Sequence, residues 1–284
     1  MISSGWLLLV VPGLIWGASF LFIAEGLRAV GPFGVAFFRI LIGFATLALF
    51  PAARKPIDRG DWPAIGLLGV VWFAFPLTMF PLAEQRVSSA MTGMLNGANP
   101  LFTVIVTALI ARRAPTAGVL VSLAIGMAGT VLIAIPAVGE GQSSAIGIAM
   151  IMSALLSYGV ALNVARPLQQ KYGGTSVIWR GQIAGILLTA PLGIPEVWQA
   201  HWSLVPLLSL IALGALGTGV AYVAMATAAG RFGPARASGT TFLIPVVALV
   251  LGVVLRNERV EMISVIGSLV CLTGAWLMKR ASTH

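Results

Sequence analysis

The chain has 284 residues, 58% of them hydrophobic and 9% charged, with 17 Lys and Arg against 8 Asp and Glu. Soluble domains carry about a quarter charged residues, so composition excludes an ordinary water-soluble fold. The net charge of +9 does not argue for nucleic acid, because the basic residues sit in loops and form no face with interleaved aromatics.

Ten apolar stretches follow one another, near 6–25, 33–50, 62–83, 88–110, 116–136, 145–165, 175–195, 203–227, 236–256 and 261–279. Each approaches the ~20 residues that cross a hydrocarbon core of about 30 Å, and only short loops remain between them. The first lacks a basic leader ("MISSGW") and a small-residue cleavage site, so it is expected to stay as a helix rather than act as a signal peptide. It sets Trp16 and Phe20 one turn apart, with Ser19 beside them. The second and seventh spans carry Arg39 and Arg180 about six residues in, a depth of about 9 Å that a snorkelling side chain can bridge. Each is expected either to anchor loops and pair with helix-end carbonyls, or to attract a solute carboxylate. In the third span Phe75, Thr78 and Met79 form one face.

The fourth span is the most informative. Thr92, Asn96, Asn99 and Thr103 recur at steps of four, three and four, which places them on one helical face. Two asparagines near mid-bilayer are costly without partners or water. They read as the lining of a solute cavity; read instead as helix–helix glue, they bond a neighbouring span while the threonines bond back to their own helix. Gly93 and Gly97 permit close packing. Pro100 here and Pro245 in the ninth span each remove a helical bond, to the carbonyls of Asn96 and Thr241, and predict matched hinges. Tyr158 and Asn163 in the sixth span, Tyr222 in the eighth and Thr241 in the ninth complete a mixed aromatic and polar set suited to a small amphipathic solute. Cys271, in the tenth span, is the single cysteine, so no intrachain disulfide forms.

The chain also repeats itself. Pro100 and Pro245 lie 145 residues apart, and at that offset Gly69 meets Gly214, Arg86 meets Arg231 and Gly129 meets Gly274. "WG" at 16–17 parallels "YG" at 158–159, and "FFRILIG" at 37–43 parallels "IWRGQIAG" at 178–185. Two five-span copies follow, 1–137 and 144–284, and the odd span number inverts the second. With the N-terminus inside, eleven basic residues are cytoplasmic: Arg54, Lys55, Arg59, Arg112, Arg113, Arg166, Lys171, Arg231, Arg236, Lys279 and Arg280. Only Arg28, Arg86, Arg256 and Arg259 fall outside, so both termini are expected in the cytoplasm. The copied loops changed charge because they changed side: basic "ARR" after the fourth span answers "RNERVE" after the ninth, where Glu258 and Glu261 balance the arginines.

Ten short spans in two copies, "WGASF" in the first, an arginine in the second, and "NPLFTVIVTAL" and "IPVVALVLGVVLRNE" in the fourth and ninth together resemble the EamA-type drug/metabolite transporters. A glutamate common after the fourth span in such proteins is Arg113 here, whereas Glu258 keeps it in the second copy. The resemblance implies an all-α, polytopic membrane protein of ten transmembrane helices in two inverted five-helix repeats, working by alternating access. It implies export of amino acids or similar small metabolites across an inner (plasma) membrane, as in the YddG-like exporters. Exporters of nucleosides or xenobiotics are the alternative within transport; a channel-like pore or membrane scaffold is the alternative outside it. Helices 1, 3, 4, 6, 8 and 9 are implied to surround the cavity, with 5 and 10 outside. The candidate wall is then Trp16, Ser19, Phe20, Phe75, Thr78, Met79, Asn96, Asn99, Tyr158, Asn163, Tyr222 and Thr241, with Pro100 and Pro245 as hinges.

Enzyme signatures are absent from the sequence: no G-x-x-x-x-G-K-[ST], no H-E-x-x-H and no C-x-x-C. The two histidines are His201, in a loop, and His284, so no catalytic or metal cluster and no cofactor is expected. The partners expected are a small solute and the lipid bilayer, and the chain is read as a monomer. All eight acids fall in loops or at span ends, Glu25 and Glu84 at the outer mouth among them, so facilitated diffusion or exchange is expected rather than proton coupling.

Overall fold

The computed structural model describes residues 5–139, 142–232 and 238–281. Residues 140 and 141 in the predicted connection between repeats, Arg236 among the basic loop residues, and His284 lie outside them. Every regular element among the described residues is helical.

The chain order is α1 (Gly5–Gly26), α2 (Pro32–Ala48), α3 (Arg59–Glu84), α4 (Ser89–Asn96 and Asn99–Ala111), α5 (Ala117–Gly139), α6 (Gln142–Tyr172), α7 (Gly174–Trp198), α8 (Leu204–Phe232), α9 (Leu243–Arg256) and α10 (Met262–Ala281). Five of these are long and apolar enough to cross a membrane, α4 is a bent pair, and four shorter apolar helices complete the set. They fall one to one on the ten predicted spans. Of the short ones, α2 has 17 residues, about 25 Å of helix.

Local chemistry sets several boundaries. α2 begins on Pro32, whose missing N–H costs nothing in a first turn. α4 begins under Ser88, whose Oγ accepts from the Met91 N–H at 3.2 Å. α4 and α9 both end on a left-handed residue, Arg112 (φ 50°) and Asn257 (φ 53°), which are equivalent positions in the two repeats.

Two spans are not regular α-helix. α3 runs as a π-helix over Gly69–Ala74, and α8 does so over Leu213–Val220. The repeated pair Gly69 and Gly214 opens these two segments. A Cβ on Gly69 would stand 2.3 Å from Ala184 of α7, and one on Gly214 would stand 2.6 Å from Ile42 of α2. Each glycine therefore lets the second helix of the other repeat close onto a π segment.

α5 and α10 pack backbone against backbone. A Cβ on Gly129 would meet the Cys271 nitrogen at 2.2 Å, and one on Gly274 would meet the Gly126 nitrogen at 2.3 Å. No flexible side chain can yield there. Gly129→Val should lower stability by about 1–3 kcal/mol or block assembly. Gly118→Ala, whose Cβ meets only Ala281 at 3.5 Å, should not. Thermal unfolding of the two purified variants in detergent checks this; equal midpoints would refute the close-packed pair.

Candidate functional site

The π segment of α8 reads "LGALGTGV" and is the meeting point of three other helices. π geometry releases carbonyls from the regular ladder, and side chains from elsewhere take them up. Trp16 Nε1 of α1 donates to the Gly217 carbonyl at 2.9 Å, and Gln182 Nε2 of α7 donates to the Thr218 carbonyl at 3.0 Å. Arg39 of α2 donates from Nε to Thr218 Oγ1 at 3.2 Å. A Cβ on Gly217 would meet Ser19 Oγ at 2.9 Å, so glycine is what lets α1 approach. Ser19 itself bonds back to the Ile15 carbonyl.

Aromatic rings extend this meeting point. Tyr222 lies edge-on to Trp16 at 5.5 Å and to Trp72 at 5.9 Å, with Phe73 tilted at 6.3 Å. Phe20 meets Phe80 edge-on at 5.7 Å, and Phe80 lies 5.9 Å from Tyr158. The rings come from α1, α3, α6 and α8, so both repeats contribute. Thr78 is buried and bonds the Ala74 carbonyl, and Met79 packs on the same core. Phe75 stands apart: it is 39% exposed, and Trp72 and Phe73 contact Tyr222 instead. Phe75 opens the regular α-helical stretch Phe75–Glu84 that also holds Thr78 and Met79.

α4 bends by 43° between Asn96 and Asn99. The break interrupts the single polar face read from spacing. Pro100 lies in the first turn of the second piece rather than in mid-helix, where its missing N–H is tolerated. Pro245 is placed alike, in the first turn of α9 after a 3₁₀ turn, Ser238–Phe242, that holds half-buried Thr241. The two repeats meet here, because a Cβ on Gly97 would stand 2.8 Å from Pro245 Cγ and one on Gly93 would stand 2.1 Å from Ala248. Asn99 Oδ1 is buried without a partner among the described residues, and Asn96 is half-buried. Thr92 and Thr103 bond back to their own helix. Asn163 bonds Thr107 at 3.1 Å and the Gly159 carbonyl at 2.8 Å, tying α6 to α4 away from the aromatic rings.

A second cluster closes the end where α1 and α9 finish. Glu258 accepts from the Ser89 N–H at 3.1 Å, Ser89 Oγ at 2.7 Å and the Ala90 N–H at 2.8 Å, so it caps the first turn of α4. A carboxylate is favoured there by the helix dipole. Arg256 bridges Glu258 to Glu25 of α1, and Glu25 also pairs with Arg28 at 2.8 Å. Glu84 is the last residue of α3, and both its oxygens are buried without a partner among the described residues.

The two intramembrane arginines part ways. Arg180 binds the Ala53 carbonyl at 2.8 Å, Ser176 Oγ at 2.9 Å and the Arg54 carbonyl at 3.4 Å, the loop-anchoring role. Arg39 does not snorkel. It is 6% exposed and turned into the protein, because Thr218 of the α8 π segment faces it from across α2. Sequence reading left Trp72, Phe73, Phe80, Gln182 and Thr218 out of the site. Gln182 had a detectable signal, a bare amide in mid-span; the rings had none beyond composition.

The EamA-like transporter family matches residues 3–135 and 145–280 of this chain. The uncharacterized transporter YdfC of Bacillus subtilis (strain 168) is 30% identical over 267 residues, 92% of this chain and 86% of that one. A probable terminal-alkyne amino-acid exporter of Streptantibioticus cattleyicolor is 24% identical over 277 residues, 96% of this chain and 92% of that one. A crystal structure at 19% identity superposes with a TM-score of 0.66 over 96% of both chains, a likeness of fold.

Removing the Glu258 carboxylate should loosen the closed end. Glu258→Ala strips the cap from α4 and the bridge to Arg256, and should cost about 1–3 kcal/mol. Glu258→Gln keeps an acceptor oxygen and should cost less. Thermal unfolding in detergent ranks the three proteins, and identical midpoints would show that the cap contributes nothing.

Proposed function

The chain belongs to the EamA-like transporter family, and we propose that this membrane transporter exports amino acids or similar small metabolites by alternating access. The observation that carries the reading is the broken α4: an asparagine whose buried oxygen has no partner among the described residues, at a 43° bend where Gly97 closes on Pro245 of α9. A buried amide oxygen without a donor is costly, and a solute or water that supplies the donor removes that cost. The seam of aromatic rings from both repeats gives the solute an apolar wall. The relative named as a probable terminal-alkyne amino-acid exporter supports amino acids as the class.

Alternation follows from the same elements. Paired prolines in the first turns of the second part of α4 and of α9 supply two hinges at equivalent places. The Glu25–Arg256–Glu258 cluster holds one end shut by joining α1, α4 and α9. Opening that end requires these bonds to break, and the equivalent position at the other end carries Arg113 instead of an acid. The charge distribution supports an orientation with the Glu258 end outside and both termini in the cytoplasm of a cell bounded by an inner (plasma) membrane.

Counterflow of labelled amino acids in proteoliposomes should be saturable, and Asn99→Leu should raise the apparent KM or change solute preference while folded protein still accumulates. Linear, non-saturating flux would identify a pore, and movement of nucleosides but not amino acids would replace the cargo. Unchanged kinetics for Asn99→Leu would remove α4 from the path. For orientation, a periplasmic reporter fused after residue 284 should be silent, and one fused after Arg259 should be active; the reverse pattern would turn the transporter over.

A further inference from the structure

Arg39 carries a charge that no carboxylate among the described residues pairs with. A guanidinium stays protonated in any protein setting and presents five N–H donors. Only one of them is used here, from Nε to Thr218 Oγ1 at 3.2 Å. Nη1 and Nη2 make no hydrogen bond among the described residues, and no carboxylate there forms an ion pair with Arg39. The side chain is nonetheless 94% buried, at 6% exposure, within a membrane-spanning helix. Glu84 makes no bond to it; its oxygens are themselves without a partner among the described residues. An unanswered cation at such depth is costly and marks a binding path more often than a packing role.

The second repeat provides an internal comparison. Arg180 occupies the matching place in α7 and spends its terminal nitrogens on the Ala53 and Arg54 carbonyls and on Ser176, with the Trp179 ring beside it. That is an arginine with a structural task. Arg39 has been turned the other way, toward the π segment of α8. There Gly217 lets Ser19 and the guanidinium close in on the backbone: a Cβ on it would stand 3.9 Å from Arg39 Nη2 and 2.9 Å from Ser19 Oγ. Trp16 and Tyr222 flank the same segment. The free edge of the guanidinium thus lies beside the aromatic seam where the two repeats meet.

We propose that Arg39 binds a carboxylate of the transported solute through Nη1 and Nη2, making this a carrier of carboxylate-bearing metabolites. A planar fork of donors matches a carboxylate with two parallel bonds, a geometry that an amide or ester cannot reproduce. The proposal rests on the reading of this chain as an exporter of amino acids or similar metabolites and narrows its cargo. Thr218 holds the fork in place through Nε; Gln182, bonded to the Thr218 carbonyl, fixes the π segment that presents Thr218.

The test uses the full chain in proteoliposomes, with labelled phenylalanine, phenylalaninamide, phenylpyruvate and a nucleoside. Wild type should move the free acids about tenfold faster or more than the amide. Arg39→Gln should bring the acid down to the amide's rate and leave the amide unchanged, with Arg39→Lys between. Equal rates for acid and amide in wild type would overturn the proposal, as would an Arg39→Gln variant that slows both alike. Phenylpyruvate moving while phenylalanine does not would leave the carboxylate anchor standing and remove the amino-acid reading. Movement of the nucleoside alone would remove both. If Arg39→Gln fails to fold, wild type decides: phenylalanine, but not its amide, should raise the thermal unfolding midpoint. Equal shifts, or none from either compound, would overturn the proposal.

Discussion

Hydrocarbon offers a carbonyl no hydrogen-bond donor, so every main-chain oxygen that a spanning helix releases must find one on another helix. This chain releases them at two equivalent places, the π segments of α3 and α8, and the donors come crosswise. Ser157 of α6 donates to the Val71 carbonyl at 2.7 Å, and Trp16 of α1 donates to the Gly217 carbonyl at 2.9 Å. Ser157 directly precedes Tyr158, the residue that aligns with Trp16. Each repeat therefore completes the other's backbone with its own first helix. The π segment of α8 also takes a donor from its own repeat, Gln182 of α7, and these contacts within and between repeats lie where the aromatic rings meet.

The same dependence shapes the closed end. Glu258 answers two N–H groups and a hydroxyl at the start of α4, groups that lie in the first repeat while the carboxylate belongs to the second. Glu196 of α7 does the like for α2, accepting from the Gly34 N–H at 2.7 Å. Helix N-termini are small positive poles, and a carboxylate from the opposite repeat neutralises each of them. Such contacts are breakable, unlike the backbone-to-backbone packing of α5 on α10, where glycines leave no side chain to rearrange. The molecule thus combines a rigid pair at its edge with charged contacts and proline hinges around its centre, a distribution that lets one end open without unfolding the rest.

The unanswered groups lie between those two regimes. Among the described residues, Asn99 Oδ1, Gln182 Oε1 and both Glu84 oxygens are buried acceptors without donors, and Arg39 uses only its Nε, on Thr218. A structural core does not tolerate several such groups at little cost. A carrier does, because its cargo and the other conformation supply the missing partners in turn.

How much of this was legible in the chain follows from what a linear pattern can encode. Hydropathy marked ten apolar segments, and a helix lies on each, since apolar length is a property of a segment by itself. The 145-residue repeat exposed the paired prolines and the paired glycines, and it set Arg113 against Glu258 at the same turn. Spacing was least informative where the backbone left regular α geometry: Trp72, inside a π segment, meets Tyr222 without having been singled out, and the break at Gly97–Ala98 divided the polar face of α4. It failed for Arg39, because depth in a span says how far a side chain must reach and not which way it turns. That direction, and the choice of Ser89 as partner of Glu258 from 169 residues away, depend on which helices touch. Contacts between spans are decided by packing in three dimensions, and only the assembled fold contains them.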